Sequence, residues 1–384
     1  MHVGMSITFQ NLDTGPSDAD IYKHELSMAD LAEPLGFDSL WAAEHHFNGY
    51  TMCPNVTQFL TYMAGRTKRV QLGSMVSVLP WHDPIRVAEE VAVLEHVSGG
   101  RTILGVGRGL GRIEFDGFKV PMGESRERFV AYAQAILDAL ESGRLESDDP
   151  AYRQPAVQIR PAPFKTFRGR TYAAAVSPES ARIMAKLGIG LLIIAQKPWD
   201  KTIAELQMYR EIYREINGCE APKPIIASWI ACHEDEATAI EMYERYIRRY
   251  SRSALEHYEF HNEGLASIKG YEYYGALANN IAKHGVDKFV EFLANLQIRG
   301  TPDQVYAKLM EYAQLVDAQG VLGVFSYGGM PFEMAKRNVR TFADKVLPRL
   351  KDQRVMATAC ARQPWQSPTS NTARACDSWP QPSP

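Results

Sequence analysis

Three titratable residues, Glu44, His45 and His46, follow the apolar run of the segment SLWAAEHHF at residues 39–47. A carboxylate beside two imidazoles can bind a metal ion, move protons at a catalytic centre, or simply hydrogen-bond the polar end of a buried strand. Neighbouring strand residues point to opposite faces, so His45 and His46 are poorly placed to bind one ion, and the other histidines show no recognisable ligand spacing. We therefore predict no metal site, and a proton donor or acceptor at His45. Strand capping stays open for Glu44 and His46.

Two further segments carry groups suited to an anion. In GVGRGLG, residues 105–111, the glycines allow close approach of a ligand, and Arg108 offers a forked cation. No helix begins at once after it, so the segment is not a dinucleotide fingerprint. In AAAVSPES, residues 173–180, Ser177 and Ser180 lie three apart at the start of a helix, where free N–H groups favour a phosphate. A surface ion pair for Arg108 and an empty N-cap for the serines are the alternatives.

The elements that must position these residues alternate between strand and helix. Eight apolar strand segments, each followed by a helical segment, predict an α/β fold of the (β/α)8 TIM-barrel type, in which strand ends form the active mouth. The strand segments are residues 2–9, 39–47, 70–79, 102–110, 171–177, 190–196, 225–232 and 321–329. The predicted helices cover residues 18–35, 56–67, 83–100, 124–142, 179–187, 200–217, a segment from near 234, and 331–349, with one more from Thr301.

Domain organisation follows from the breaks in this rhythm. We predict one barrel domain over residues 1–350, with insertions at about 143–170 and 259–300 that could act as lids. Residues 351–384 are rich in Pro, Ser and Thr without periodicity, which predicts a disordered tail.

Composition excludes several function classes. With 42 basic and 45 acidic residues the net charge is −3, and no long basic run occurs, so no nucleic-acid partner is expected. The five cysteines form no CxxC pair, which argues against a disulfide framework. Neither a signal peptide nor a membrane-spanning run is apparent. We expect a cytoplasmic protein without a membrane partner.

Several motifs, taken in order, resemble those of the bacterial-luciferase-like flavin-dependent monooxygenases. They are GFDSLWAAEHHF, RVQLGSMVSVLPWHDPIRVAEEVAVLEHVSGGRTILGVGRGL, YAAAVSPESARIMAKLGIG and the closing FADKVLPRL. The resemblance extends over nearly all of residues 1–350, and the conjunction is more specific than any single motif. The lead-in IRPAPFKTFRGRTYAAAVSPES looks closer to members described as limonene or alkane hydroxylases.

The resemblance implies a barrel that binds reduced FMN (FMNH2) supplied by a separate NAD(P)H:flavin reductase. Oxygen would add to the flavin to give a C4a-(hydro)peroxide that oxidises a small apolar organic substrate. The family's histidine near the flavin falls on His45, and its phosphate contacts fall on Arg108, Ser177 and Ser180. A non-proline cis peptide would fall at Met75–Val76.

The resemblance also sets expectations for the rest of the site and for assembly. Glu44 joins Met75 and Val76 among the predicted flavin contacts, and a homodimer formed through the second and third helices is implied. Aromatic residues at strand ends are the candidate substrate pocket, with core packing as the alternative for each: Trp81, Phe115, Trp229 and Phe325.

Two alternatives keep the fold and change the function. One is a deazaflavin-dependent oxidoreductase, which transfers hydride without oxygen; the other is a non-catalytic flavin-binding subunit. The chain also departs from the luciferase catalytic subunit, because Gly107 stands where that subunit has a reactive cysteine. This departure weakens any expectation of light emission but not of monooxygenation.

Overall fold

Eight parallel strands close into a barrel in the part of the chain that the computed structural model describes, residues 1–12, 15–174 and 178–352. Going round the barrel, the order is β1, β2, β3, β5, β8, β9, β10 and β12, and β12 pairs with β1 to close it. The strands are β1 (His2–Ile7), β2 (Ser39–Ala42), β3 (Gln71–Ser74), β4 (Ser77–Val78), β5 (Thr102–Gly107), β6 (Arg144–Asp149), β7 (Tyr152–Gln158), β8 (Thr171–Ala174), β9 (Gly190–Ile194), β10 (Ile225–Cys232), β11 (Ile298–Gly300) and β12 (Gly320–Val324). The predicted (β/α)8 fold is confirmed.

Helices connect the strands and cover the outside of the barrel. They are α1 (Asp18–Ala29), α2 (Val56–Arg66), α3 (Pro84–Ser98), α4 (Arg112–Phe118), α5 (Ser125–Ser142), α6 (Pro178–Leu187), α7 (Trp199–Asn217), α8 (Glu236–Met242), α9 (Arg248–His257), α10 (Glu272–His284), α11 (Val286–Asn295), α12 (Pro302–Leu315) and α13 (Phe332–Lys345). A π-helical turn at Tyr243–Ile247 joins α8 to α9. No helix in the described ranges has the length and apolar character needed to cross a membrane.

Local signals fix several of these boundaries. Asp83 caps α3 by accepting from the Ile85 amide, Pro84 is its first residue, and Gly99 ends it with a left-handed φ of 70°. Thr301 and Gln304 form a reciprocal capping box at the start of α12. Both starts agree with the sequence prediction.

Trp41 fills the barrel interior because β1 and β3, which pair with β2 on either side, carry glycine next to it. A Cβ on Gly73 would lie 2.4 Å from Trp41 Cδ2, and one on Gly4 would lie 2.9 Å from Trp41 Nε1. The indole N–H donates to Ser39 Oγ at 2.7 Å, so this polar group is satisfied although the side chain is fully buried. The interior is therefore a packed core, and ligands must bind at the mouth.

Two insertions interrupt the repeat. Residues 144–158 form an antiparallel hairpin of β6 and β7 with a bulge between Leu145 and Ser147. Residues 259–300, which we call the lid segment, contain α10, α11 and β11 and pack around a second apolar cluster with Phe115 and Leu255. In the predicted tail, residues 353–384 lie outside the described residues.

Candidate active site at the barrel mouth

A cavity of about 380 Å³ opens at the carboxyl ends of the strands, where the sequence places its titratable residues. We call it the mouth cavity. Glu44 and His45 reach it from the segment after β2, Arg108 from the end of β5, and Ser180 from α6. Residues that are far apart in the chain thus line a single pocket.

His45 lies at the centre of a hydrogen-bond network on one side of this cavity. Its Nδ1 lies 2.9 Å from Glu114 Oε1 and 3.1 Å from His257 Nε2, and its Nε2 lies 3.2 Å from the Tyr258 hydroxyl. Glu114 Oε1 also accepts from the His46 amide at 3.0 Å. The imidazole is consequently held through both ring nitrogens and cannot rotate freely.

Two opposing effects set the charges of Glu114 and His257: burial favours the neutral form of each side chain, and nearby charges and hydrogen bonds favour the charged form. Burial alone would raise the pKa of Glu114, but the charge of His45 and hydrogen bonds from His257 and His45 outweigh it and lower the pKa to about 2. Burial lowers the pKa of His257 despite its hydrogen bond to Glu114. The network therefore presents a permanent carboxylate with a neutral His257 beside it.

The hydrogen bonds around Asn48 assign the tautomer of His257. Asn48 Oδ1 accepts from the Tyr50 amide at 3.1 Å, so its Nδ2 faces His257 Nδ1 at 2.9 Å as a donor. The proton of neutral His257 then sits on Nε2, which faces His45 and Glu114. This N–H group therefore points towards the Glu114 carboxylate, whose charge it helps to stabilise.

The same three side chains could also hold a cation. One donor atom each from His45, Glu114 and His257 lies within 4.8 Å of the others, a set of two imidazoles and a carboxylate. His46, which the sequence places beside His45, contributes no donor atom to this set. Because β2 ends at Ala42, both histidines lie beyond the strand, and the strand alternation assumed from the sequence does not account for their separation.

A second carboxylate network lies next to the first. Glu44 Oε1 accepts from His46 Nε2 at 3.0 Å and His82 Nε2 at 2.6 Å, and its Oε2 accepts from the Val78 amide at 2.8 Å. Burial would raise the pKa of Glu44, but these hydrogen bonds lower it. Met75 and Val76, which line the same cavity, are joined by the expected cis peptide bond.

Cations line the opposite side of the mouth cavity. Arg108 Nη1 donates to the Gly270 carbonyl at 2.7 Å, and its guanidinium lies over the Tyr271 ring at 4.1 Å. Arg126 forms an ion pair with Glu179 and also lines the cavity. Ser180 lines this wall, whereas the predicted Ser177 lies outside the described residues. The lid segment therefore contacts the side chain for which the sequence predicts phosphate binding.

The four aromatic residues predicted for a substrate pocket have different positions. Trp81 lines the mouth cavity. Phe115 is fully buried in the apolar cluster beneath the lid segment, and Phe325 is fully buried outside the barrel between Phe37 and Phe342. These last two do not line the cavity.

Trp229 also stays out of the cavity, because it stacks on Tyr250 with ring centroids 4.1 Å apart. Tyr250 in turn hydrogen-bonds to Tyr50, whose ring stacks on His257 at 4.4 Å. Trp229 thus supports the histidine network from behind and does not contact a ligand in the cavity.

Three important site residues are missed by reading the sequence. Glu114 lies in the short helix α4, His257 ends α9 and Tyr258 follows it, so each is at least 69 positions from His45. The segment EHYEF contains an imidazole and a phenol, but nothing in its local pattern links it to EHH.

Comparison with known proteins finds one family that matches most of the chain. A sequence model described as luciferase-like monooxygenase matches residues 1–319. The alkanal monooxygenase alpha chain of Photobacterium leiognathi is 26% identical over 357 residues, which cover 90% of this chain and 98% of that protein.

Solved structures share the fold. Monooxygenase RslO1 from Streptomyces bottropensis superimposes with a TM-score of 0.75 at 24% identity, over 91% of this chain and 100% of its own. The oxygenating constituent of 3,6-diketocamphane monooxygenase from Pseudomonas putida, solved in complex with FMN, gives a TM-score of 0.66 at 16% identity, over 91% and 98% of the two chains.

Proposed function

The chain belongs to the luciferase-like monooxygenase family, and from that premise we propose that it is the oxygenase component of a two-component system that uses reduced FMN and O2. The observation that carries the proposal is that the His45 network and the arginines Arg108 and Arg126 line one cavity. A flavin oxygenase needs a side chain that donates or accepts a proton near the flavin, and it needs cationic groups that bind the flavin phosphate.

The residues present fit FMN. Met75, Val76 and Gly107 offer an apolar, partly side-chain-free wall against which a flat ring can lie. Arg108 and Arg126 offer forked cations suited to a phosphate. These residues would hold FMN, which when reduced supplies the electrons that activate O2.

His45 is the residue to which we assign proton transfer. Glu114 keeps its charge and lies 2.9 Å from His45 Nδ1, so it can accept a hydrogen bond from that nitrogen and fix the orientation of the ring. Tyr258 hydrogen-bonds to Nε2, and its own pKa is raised well above the ordinary value by burial. Tyr258 therefore stays neutral and orients the ring.

Exclusion of water is assigned to the lid segment. Tyr274 and Gly270 line the mouth cavity, and Gly270 and Tyr271 contact Arg108 directly. A closed cavity strengthens the electrostatic interactions inside it and protects reactive species from water. The lid segment is thus positioned to close over the cofactor.

The partners and substrate belong to the same proposal. FMNH2 would come from a separate NAD(P)H:flavin reductase, and the oxidised molecule would be a small, largely apolar organic compound. Assembly as a homodimer through α2 and α3 stays a prediction, in agreement with the exposed apolar side chains of Tyr62, Val93 and Val97 on those helices.

Anaerobic binding of reduced FMN followed by stopped-flow mixing with O2 tests this function. We expect tight binding and a return to oxidised FMN that is far slower than for free flavin, followed by product formation with a panel of aldehydes, terpenes and alkanes. Weak binding with rapid autoxidation, together with tight binding of a deazaflavin, would instead establish the hydride-transfer alternative.

Two arginine variants test whether Arg108 binds the phosphate of FMN. Arg108→Gln is expected to weaken FMN binding by about 10- to 100-fold, because a charge-assisted bidentate contact contributes roughly 1.5–3 kcal/mol. The control Arg182→Gln removes an exposed arginine of α6 that does not line the cavity. Equal FMN affinity in both variants would show that Arg108 does not bind the FMN phosphate.

A further inference from the structure

A second cavity, of about 630 Å³, adjoins the mouth cavity. We call it the outer cavity. It lies between the lid helices α10 and α11 on one side and the segment from Gln196 to Glu205 on the other. Gln196, Tyr273 and Tyr274 line both cavities, so these residues form the junction between them.

Aromatic side chains dominate the apolar wall of the outer cavity. Phe260 and Phe289 are buried, Phe292 is half-buried, and Leu277 and Ile281 complete the surface. Stacked or edge-on aromatic contacts favour planar ring systems over flexible chains. The wall therefore suits a flat aromatic ligand.

The junction carries polar groups that the protein itself does not satisfy. Tyr274 is only 7% exposed and Gln196 is half-buried, and within the described residues neither the Tyr274 hydroxyl nor the Gln196 side-chain amide forms a hydrogen bond. Neither group is among the fully buried polar atoms that lack a partner within the described residues, and both residues line the two cavities, so a ligand can reach them there. An oxygen substituent on a ligand could accept from both groups at the entrance to the mouth cavity.

Positive charge marks the outer end. Lys201 and Lys288 line the outer cavity and form no ion pair within the described part of the chain. Lys197, by contrast, is paired with Glu205 in the same wall. The two exposed lysines leave net positive charge where a ligand would meet solvent.

Taken together, these features point to the substrate class, and we propose that the outer cavity binds an aromatic acid. Its rings would pack on Phe260 and Phe289, its carboxylate would face Lys201 and Lys288, and its opposite, oxygen-bearing edge would pass Tyr274 towards the flavin. This inference rests on the proposed function for the role of the bound molecule as substrate, but the binding site itself does not.

Calorimetric titration of the FMN-loaded protein with anthracene-2-carboxylate tests the proposal. Two probes vary one property each: anthracene-2-methanol removes the charge, and dodecanoate removes the rings. We expect the aromatic carboxylate to bind at least about fivefold more tightly than either, a difference typical of one charged contact or one aromatic pair. Equal affinity for all three probes, or no binding of the aromatic carboxylate, would overturn the proposal.

Variants then place the probe within the cavity. Lys201→Met and Lys288→Met should each weaken anthracene-2-carboxylate about three- to fivefold, whereas Lys283→Met, an exposed lysine of α10 outside the cavity, should not. Leu277→Trp should block the probe by filling the space. Unchanged probe affinity in the lysine variants would show that the binding occurs elsewhere.

FMN affinity, measured in parallel, separates this proposal from the one on which it rests. Normal FMN binding without binding of anthracene-2-carboxylate would contradict the proposed aromatic-acid substrate and would leave the proposed flavin function standing. Loss of FMN binding in the wild-type protein would instead contradict the proposed function.

Discussion

Two buried glutamates of this chain lie beside histidines, and the pKa values of their carboxyl groups are shifted in opposite directions. Glu114 at the barrel mouth faces two imidazoles, and its pKa is lowered to about 2. Glu25 on α1 is equally buried, but burial dominates there and raises its pKa to about 7, with only partial offset by Ser326 and the backbone of Thr8 and Phe9. Burial is common to both sites, so the partners decide the charge.

The histidines differ in the same way. Burial and the charge of Lys336 lower the pKa of His24 to about 4, and its ring stacks on Phe332 at 4.0 Å. Between about pH 4 and pH 7, His24 and Glu25 thus form a neutral pair, 3.8 Å apart, that fills space between α1, β12 and α13. At the mouth, Glu114 keeps its charge although its side chain is fully buried. A charge retained under such conditions indicates function, whereas a neutral pair indicates packing.

The strongest test of this contrast exchanges one histidine at each site for glutamine. His45→Gln should lower kcat about 10²- to 10⁴-fold, the usual contribution of a positioned acid or base, while FMN affinity stays within about threefold. His24→Gln should leave kcat within about twofold. Turnover of a substrate from the panel and FMN titration measure both. A comparable loss of kcat in the two variants would contradict a specific role of His45 in proton transfer.

Acid sensitivity gives the second test. Because the folded-state pKa of Glu114 lies below its ordinary value of 4.5, its carboxylate contributes stability above that pH and loses it as the pH falls towards 2. The shift corresponds to about 3 kcal/mol, of which roughly 2 are lost by pH 3. Urea unfolding between pH 3 and 6 should therefore show wild type and Glu114→Gln converging at low pH.

The exposed hairpin residue Glu146 supplies the control for this experiment. Glu146→Gln should track the wild type at every pH. A constant difference between wild type and Glu114→Gln would mean that Glu114 is not the acid-sensitive group.

Glu25 should show the reverse dependence on pH. Its folded-state pKa lies above the ordinary value, so its contribution is fully present below about pH 4.5 and is lost as the pH rises through 7. Relative to wild type, Glu25→Gln should gain about 2–3 kcal/mol of unfolding free energy on going from pH 5 to pH 8, without any change in kcat. Denaturant unfolding at the two pH values measures the gain, and a gain of zero would place a charged partner next to Glu25.

Local sequence signals predicted the framework well. The eight strands and the starts of α3 and α12 follow from apolar periodicity and from the cap residues Asp83 and Thr301, which act on neighbouring residues. Some predicted strands extend too far at their carboxyl ends, next to the candidate site. β2 ends at Ala42 and not at residue 47, because the chain leaves the sheet there and brings Glu44 and His45 to the mouth cavity.

The site was only half predictable, because it is built from distant segments. His45, Glu44 and Arg108 lie at strand ends, where the fold class alone indicates function. His257 and Glu114 join them only through tertiary packing. The direction in which an aromatic side chain points near a strand end also depends on tertiary packing. Trp81 points into the mouth cavity, whereas Phe325 points towards α13. A shift of one residue reverses the side on which a side chain lies.

The smallest expected effect concerns His257, which we treat as a positioning residue. Its Nε2 lies 3.1 Å from His45 Nδ1, and its hydrogen bond to Glu114 is one of the interactions that lower the pKa of that carboxyl group. His257→Asn should reduce kcat about tenfold with KM within about twofold, and should raise the pH at which acid destabilises the protein. The control His261→Gln changes an exposed histidine of the lid segment. A merely structural role for His257 would lower stability at every pH equally, without moving the acid midpoint towards neutrality, so the pH profile separates the two roles.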